Sequence, residues 1–459
     1  MSRRPTLALV LALVAVVPCA AAEPAGIGLP ECLDYAYAHN GDLQAARTAT
    51  AIQDARVQEA GGHFFPSASL DAFFTHYSAE PSTNVMAPTG PITATVDLPT
   101  GPQKVKIREV NLGALTVQTT PQDAYAFRLS LSQPIFTSGK LYNQLQLKRA
   151  ERGAALTEEE KAKSDVGFAV VHAFYDLLLA RQSLEANEQV SELAEAVLGG
   201  TKNRAARGSS SRLEVLQAEA EHARTTLPLV RARNERRYRE DFLKHLMGWE
   251  REQPLPVRGK LAWRRFTLDA EELHRRALSD RLDLRRLDQD IAVRERELRA
   301  VLLTNTPTIS LTGGYEFLQH ERTDLPDEVT TGGVAMTWPF LDGLTQLPRI
   351  HEARLAVEEI RIRRQHLKGS IELEVDRAYD DFQVAEQAYL AHEKLMAAAG
   401  EQVEMSERSV GTGTVSTPEL AEERVRLINA RLVGAQLVFD YLMAKSELDR
   451  VTGTPPGEP

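Results

Sequence analysis

Two periods of apolar residues divide this chain into strands and helices. Apolar and polar residues alternate in four stretches, which predicts β-strands at about 67–77, 125–134, 308–318 and 331–340. Elsewhere apolar residues recur at spacings of four and three, which predicts long helices joined as hairpins at about 140–248 and 344–453. The pattern therefore predicts a mainly α-helical chain with two strands before each hairpin.

An apolar stripe runs along both helices of the first predicted hairpin. It comprises Val166, Val170, Ala173, Leu177, Ala180 and Leu184 outbound, and Leu213, Leu216, Ala220, Ala223, Leu227 and Val230 on the return. This spacing is typical of a coiled-coil seam, and its small alanines permit close helix approach. Pro228 lies inside the return helix, where it removes a backbone donor, so we expect a kink or a break there.

The second half of the chain repeats the first. Gly208–Glu214 matches Gly413–Glu419 at an offset of 205, and Pro66–Leu70 matches Pro307–Leu311 at an offset of 241. The two offsets differ by 36 residues, which are extra sequence in the first half. They lie in a stretch rich in Pro, Thr and Gly between Ala79 and Asp123. We interpret that stretch as a long loop.

The predicted fold class is mainly α with a membrane β part, built from two tandem repeats of helix, strand, strand and long helical hairpin. We expect the first repeat at 23–248, a linker or equatorial segment at 249–266 and the second repeat at 267–453. The end of the chain, 454–459, is expected to be a disordered tail.

The amino terminus has the order of a secretory signal peptide. Arg3 and Arg4 precede an apolar run that ends in small residues, which predicts a signal peptide at 1–22. Its removal would leave Cys32 as the only cysteine, so no disulfide is expected within the chain.

Composition and motifs argue against several classes of function. The net charge of −10 becomes −12 without Arg3 and Arg4, and basic residues are scattered, which argues against a nucleic-acid partner. The sequence has no zinc-protease, phosphate-loop or nucleophile motif, and its histidines are scattered. We expect no enzymatic activity, no cofactor and no metal site.

The strand pattern fits two environments. A sheet with one apolar and one polar face also suits a water-soluble protein. Export, a strand length of about ten residues and aromatic residues near the strand ends favour strands that cross the outer membrane. Since the smallest closed membrane barrels have about eight strands, four strands per chain require several chains in one wall. The aromatic residues concerned are Tyr77, Tyr125, Tyr315, Trp338 and Phe340.

The duplicated strand exits and hairpin turns resemble those of the TolC family of outer-membrane efflux proteins. The exits are Gln133–Phe136 before Gly139 and Trp338–Leu341 before Gly343, and the turns lie at Gly208–Leu216 and Gly413–Leu420. The resemblance covers nearly all of the chain after the predicted signal peptide. It implies a homotrimer with a 12-stranded β-barrel that a periplasmic α-helical barrel continues. It also implies two partners, a periplasmic adaptor (membrane fusion) protein and an inner-membrane pump.

The same resemblance implies a site at the two hairpin turns. It places Gly208, Ser211, Gly413 and Thr417 at the periplasmic mouth, where the adaptor docks.

The resemblance further implies a periplasmic gate in which Glu214, Glu419 and Glu422 form a cation-selective ring. Glu419 and Glu422 are three residues apart and share a helix face, so threefold symmetry would gather six carboxylates. Gln217 stands in the first repeat where Glu422 stands in the second, which lowers the charge of that layer.

Helix capping explains the same residues without a pore. Ser211 to Glu214 has the spacing of a capping box, and Thr417, Pro418 and Glu419 suit an N-cap, a first-turn proline and an acid at the helix start. The capping and ring interpretations are compatible.

These features together predict the outer-membrane channel of a tripartite export system. It would be a passive conduit that adaptor and pump open, surrounded by outer-membrane lipid and extending into the periplasm. The alternative is a soluble periplasmic coiled-coil adaptor or scaffold, which needs export and heptads but no lipid-facing strands. Drugs, metal ions, siderophores and proteins are all compatible cargoes.

Overall fold

A computed structural model describes residues 26–79, 82–88, 96–98, 101–103, 112–118, 123–318, 328–411 and 414–457. The predicted signal peptide at 1–22 lies outside these residues. The helices are α1 (Leu29–His39), α2 (Gly41–Gly62), α3 (Lys140–Ala206), α4 (Arg212–Met247), α5 (Ala270–Asp280), α6 (Leu282–Leu303), α7 (Gln346–Gly411) and α8 (Thr417–Thr452). The strands are β1 (Ser67–His76), β2 (Ser82–Pro88), β3 (Val96–Leu98), β4 (Gly101–Gln103), β5 (Leu112–Gln118), β6 (Asp123–Phe136), β7 (Thr308–Leu318) and β8 (Glu328–Thr337).

The element order confirms a mainly helical, duplicated fold. Each half has two short helices, two long strands and two long helices, and the first half inserts β2 to β5 between its long strands. None of the described helices combines the length and the apolar composition that crossing a membrane requires.

The chain forms two compact units. One comprises Met1–Ala49, Thr157–Arg286 and Gln365–Pro459, and the other comprises Thr50–Leu156 and Leu287–Arg364. Each unit therefore contains segments from both repeats.

The unit that contains Thr50–Leu156 and Leu287–Arg364 carries a four-stranded antiparallel sheet. Its order is β1, β6, β7, β8, so β1 and β8 are the edge strands and the β6–β7 pair joins the two repeats. Every residue of β1 and β8 is exposed, which means that neither face of these strands is covered within the chain.

The segment between β1 and β6 differs from the long loop that the sequence predicted. β2 pairs with β5 and β3 pairs with β4, each antiparallel, so the segment contains two-stranded ribbons. Thr and Val residues, which favour strands, outweigh the turn-forming Pro and Gly residues here.

The other unit has two hydrophobic cores that repeat each other. The first is built by α1, α3 and α4 with Leu43 of α2, and the second by α5, α7 and α8 with Leu284 of α6. Equivalent positions at the offset of 205 fill both cores: Val166 and Ile371, Val170 and Val375, Ala173 and Ala378, Leu177 and Phe382, and Leu243 and Leu448. The sequence repeat therefore corresponds to a repeated core.

The segment that links the repeats is fixed to the start of the described chain. The Ile27 amide donates to the Pro256 carbonyl (2.6 Å), and the Arg258 amide donates to the Ile27 carbonyl (2.9 Å). Leu255 and Val257 are buried in the first core. The linker is thus part of this unit's packed structure.

Two left-handed glycines end the return helices α4 and α8. Gly248 has φ 69° and Gly453 has φ 76°. A Cβ on Gly248 would lie 2.6 Å from the His39 carbonyl oxygen, and one on Gly453 would lie 2.9 Å from the Asp280 carbonyl carbon. Both the conformation and the space therefore require glycine.

Pro228 lies inside the continuous helix α4, so the expected break does not occur, and a kink there stays a prediction. Thr225 and Ala232, on either side of Pro228, are buried. In the tail, Pro456 lies close to Gly167, where an added Cβ would be 2.3 Å from the Pro456 Cγ. Disorder of 454–459 stays a prediction. Residues 458–459 lie outside the described residues.

Candidate functional site

The first hairpin turn joins α3 to α4 through Gly208, whose φ of 79° suits only glycine well. The Ser209 amide donates to the Arg204 carbonyl (2.9 Å), which closes the end of α3. Ser211 is the N-cap of α4, and its hydroxyl accepts from the Glu214 amide at 3.2 Å. The Ser211 hydroxyl also donates to the Glu214 carboxylate (3.1 Å), so Ser211 caps the start of α4.

The second turn has its cap one residue earlier than the sequence suggested. Ser416, not Thr417, is the N-cap of α8, and Thr417 is the first helical residue. The Ser416 amide donates to the Glu419 carboxylate (2.7 Å), and the Glu419 amide donates to the Ser416 hydroxyl (3.4 Å), which completes a capping box. Gly413 lies outside the described residues.

The caps hold two of the three candidate carboxylates in their charged form. Hydrogen bonds from Ser210 and Ser211, together with the charge of Arg204, lower the pKa of Glu214. Hydrogen bonds from the backbone and side chain of Ser416 lower the pKa of Glu419. Both carboxylates therefore stay ionised to lower pH than an ordinary glutamate.

Glu422 differs from both because the cap does not use it. It is exposed on α8, and within the described chain it makes no hydrogen bond or ion pair. Its carboxylate is available for an external cation.

The structure brings Glu214 and Glu422 to one groove between α3, α4 and α8. The groove has a volume of about 620 Å³. Arg204 and Arg426 line it as well, whereas Glu419 does not. Its apolar floor is formed by Val190, Leu193, Ala194, Val197, Ala218, Pro418, Ala421 and Val425. The site is thus a mixed-charge, amphipathic groove, and the two arginines were not foreseen from the turn motifs.

The helices of the two hairpins contact one another in the order α4, α3, α8, α7. Lys202 of α3 pairs with Glu219 of α4 (3.0 Å). His172 of α3 contacts the Phe439 ring of α8 at a centroid distance of 5.7 Å. His392 of α7 is hydrogen-bonded to a backbone carbonyl of α8 (2.7 Å). α4 and α7 are therefore the outer members of the set.

Both outer helices expose apolar stripes. On α4 the exposed stripe is the predicted seam itself, with Leu213 64% and Leu227 56% exposed. On α7, Leu373, Val384 and Leu395 recur every eleven residues and are 64–72% exposed. The seam that the sequence predicted on α4 is therefore exposed, and α4 contacts α3 through another face, where the Thr225 hydroxyl is hydrogen-bonded to the Ser191 hydroxyl (3.3 Å).

Part of the sequence matches the model of a known family, and most of the chain resembles known structures. Residues 32–249 match the family described as outer membrane efflux protein. No curated protein sequence matches the chain.

Several solved structures share the fold. The Campylobacter jejuni CmeC outer membrane channel aligns with a TM-score of 0.70 at 16% identity, over 94% of this chain and 87% of that chain. The open-state MtrE outer membrane channel of Neisseria gonorrhoeae aligns with a TM-score of 0.69 at 15% identity, over 93% of this chain and 89% of that chain. CusC aligns with a TM-score of 0.68 at 14% identity, over 93% of this chain and 92% of that chain. At these identities the likeness establishes the fold.

Proposed function

We propose that this chain is a member of the outer membrane efflux protein family, whose model matches residues 32–249, and that three copies of it form a passive export conduit. It is an efflux channel of the outer membrane that extends into the periplasm. Energy for transport comes from an inner-membrane pump, and a periplasmic adaptor couples the pump to the conduit.

The open sheet supports closure by several chains. β1 and β8 are edge strands, each paired on one side only, so the backbone groups on their outer sides face no partner strand within the described sheet. Unpaired backbone groups in lipid cost several kcal/mol each, so a membrane sheet must close on itself. Pairing β1 of one chain with β8 of the next gives a 12-stranded barrel from three chains.

The exposed helix stripes support the same assembly. Leu213 and Leu227 of α4, and Leu373 and Val384 of α7, expose apolar area that coiled-coil packing would bury. These stripes lie on the two outer helices, so α4 of one chain meets α7 of the next. Such a head-to-tail contact closes into a ring when the rotation per subunit is 120°.

The turns form the periplasmic mouth in this proposal. Gly208, Ser211, Gly413 and Thr417 are the positions that an adaptor contacts. Three copies each of Glu214, Glu419 and Glu422 give the mouth a cation-selective ring. The observation that carries this assignment is the convergence of Glu214 and Glu422 on one groove.

The test is cation block of single channels in planar bilayers. Replacing Glu419 and Glu422 by Gln removes six carboxylates from the ring and should weaken block by Mg²⁺ several-fold, because a divalent cation gains most from closely spaced charges. Glu252→Gln, in the exposed linker, is the matched control and should leave block unchanged. If the double variant conducted normally and its block by Mg²⁺ were unchanged, Glu419 and Glu422 would not form a cation-selective ring.

A further inference from the structure

Charge on the polar face of the sheet is confined to a single row. Residues that stand opposite each other in antiparallel strands point to the same face of the sheet. We call the face that carries Ser69 of β1 and Ser130 of β6 the polar face. Across the described lengths of β1, β6, β7 and β8, that face carries three charged residues, Asp71, Arg128 and Glu316.

These three residues are neighbours across three strands. Asp71 stands opposite Arg128, and Arg128 stands opposite Glu316. The Arg128 Nη2 donates to Glu316 Oε1 at 2.8 Å, with the two side chains 50% and 38% exposed. The row is therefore an ordered strip of carboxylate, guanidinium and carboxylate that solvent can reach.

The adjacent levels of the same face contain no charge. On one side lie Ser69, Ser130 and Gly314, and on the other lie Phe73 and Ala126. The row of three charged residues is therefore isolated on this face and is not part of a generally charged surface.

The opposite face of the sheet identifies which side meets lipid. It exposes apolar side chains along its length: Leu70, Phe74, Tyr125, Phe127, Leu129, Leu131, Leu311, Tyr315, Val334 and Met336. A cationic side chain on the lipid face costs about 2–4 kcal/mol near the bilayer midplane, so Arg128 and its two partners belong to the inner wall.

We propose that Asp71, Arg128 and Glu316 of three chains form a charged belt on the inner wall of the barrel, which makes the membrane part of the channel prefer cations. The inference rests on the proposed trimer. Each row has two carboxylates and one guanidinium, hence one net negative charge per chain and three around the belt. This second selectivity element is separate from the turns, which lie in the other unit.

The belt acts through a screened field. A wall charge reaches about 30 Å into solution at 0.01 M salt but only about 3 Å at 1 M. Its preference therefore applies to small cations at low ionic strength, and at physiological salt to solutes that pass close to the wall. Cargo that carries ammonium or guanidinium groups is the class that this belt favours.

The experiment is the reversal potential of single channels across a KCl gradient, at about 0.01 M and about 1 M mean salt. Glu316→Gln and Asp71→Asn remove the net charge of a row, whereas Arg128→Gln doubles it. All are made in a Glu419→Gln, Glu422→Gln background so that the mouth does not dominate. Glu328→Gln is the matched control, since Glu328 stands opposite Phe317 on the apolar face of the same sheet.

At low salt, Glu316→Gln and Asp71→Asn should shift the reversal potential towards that of a non-selective pore, and Arg128→Gln should shift it the other way. All shifts should largely vanish at 1 M, and the Glu328 control should not move. If Arg128→Gln fails to assemble, the two carboxylate variants still decide the matter, because the amide in Glu316→Gln retains an acceptor for Arg128. Conducting channels with unchanged potentials would overturn the belt, whereas absence of any channel in the parent protein would overturn the proposed trimer.

Discussion

At the scale of single residues, the turns show how much capping chemistry the sequence reveals. Ser211 was recognisable as a cap because Glu214 follows three residues later. The second cap was placed one residue late, on Thr417. Ser416 is the cap because Glu419 lies three residues after it and completes the capping box. Three residues after Thr417 lies Leu420, whose side chain has no hydrogen-bond acceptor.

The Ser416 cap predicts a pH effect at the mouth. The capping box lowers the pKa of Glu419 in the folded protein, so its charge is present above the ordinary pKa of about 4.3 and is lost only as pH falls through the lower folded value. Ser416→Ala removes the hydroxyl donor and should raise the pH at which Mg²⁺ block is half lost. Ser416→Thr keeps a hydroxyl and should behave like the parent protein. If Mg²⁺ block were half lost at the same pH in all three proteins, Glu419 would not contribute to block at the mouth.

The glycine at the end of α4 predicts a stability effect. Gly248→Ala forces a side chain into a left-handed conformation, which costs about 1–2 kcal/mol, and pushes its Cβ against the His39 carbonyl. Thermal unfolding should therefore occur at lower temperature. Gly369→Ala, in the middle of α7 with open space around it, should instead stabilise the protein by about 0.5–1 kcal/mol. Equal unfolding temperatures for the two variants would contradict the assigned packing at Gly248.

At the scale of elements, periodicity predicted the helices better than it predicted their partners. The α3 stripe is buried in the first core from Val166 to Leu177, whereas the stripe on α4 is exposed. A heptad pattern indicates that a helix face needs a partner, but it does not say whether that partner lies in the same chain. The groove arginines Arg204 and Arg426 were missed for a related reason, because three separate helices bring the groove together.

The exposed α4 stripe predicts how assembly fails. Leu227→Asp places a charge within the stripe and should prevent a stable trimer, since an unpaired charge in an apolar contact is costly. Thr226→Asp adds the same charge one residue earlier, about 100° around the helix, and should leave the trimer intact. Size-exclusion chromatography with light scattering in detergent measures both. Equal masses for the two variants would exclude α4 from the interface.

At the scale of the whole molecule, the internal repeat was the most informative sequence feature. Its two offsets predicted the duplicated order of strands and hairpins and the position of the inserted segment. They did not predict the ribbons formed by β2 to β5, which occur in the first half and have no copy to compare with in the second. Closure of the sheet by several chains was inferred from strand number. β1 and β8 are free edges in the described sheet, and closure stays a proposal.

The central claim is that one chain supplies too few strands and too few helices to enclose a channel. The most direct measurement is native mass spectrometry of the protein extracted from outer membranes in mild detergent. We expect a single species with the mass of three chains, which depends on detergent to remain in solution. A monomer that stays folded and dissolved in the periplasmic fraction without detergent would contradict the account.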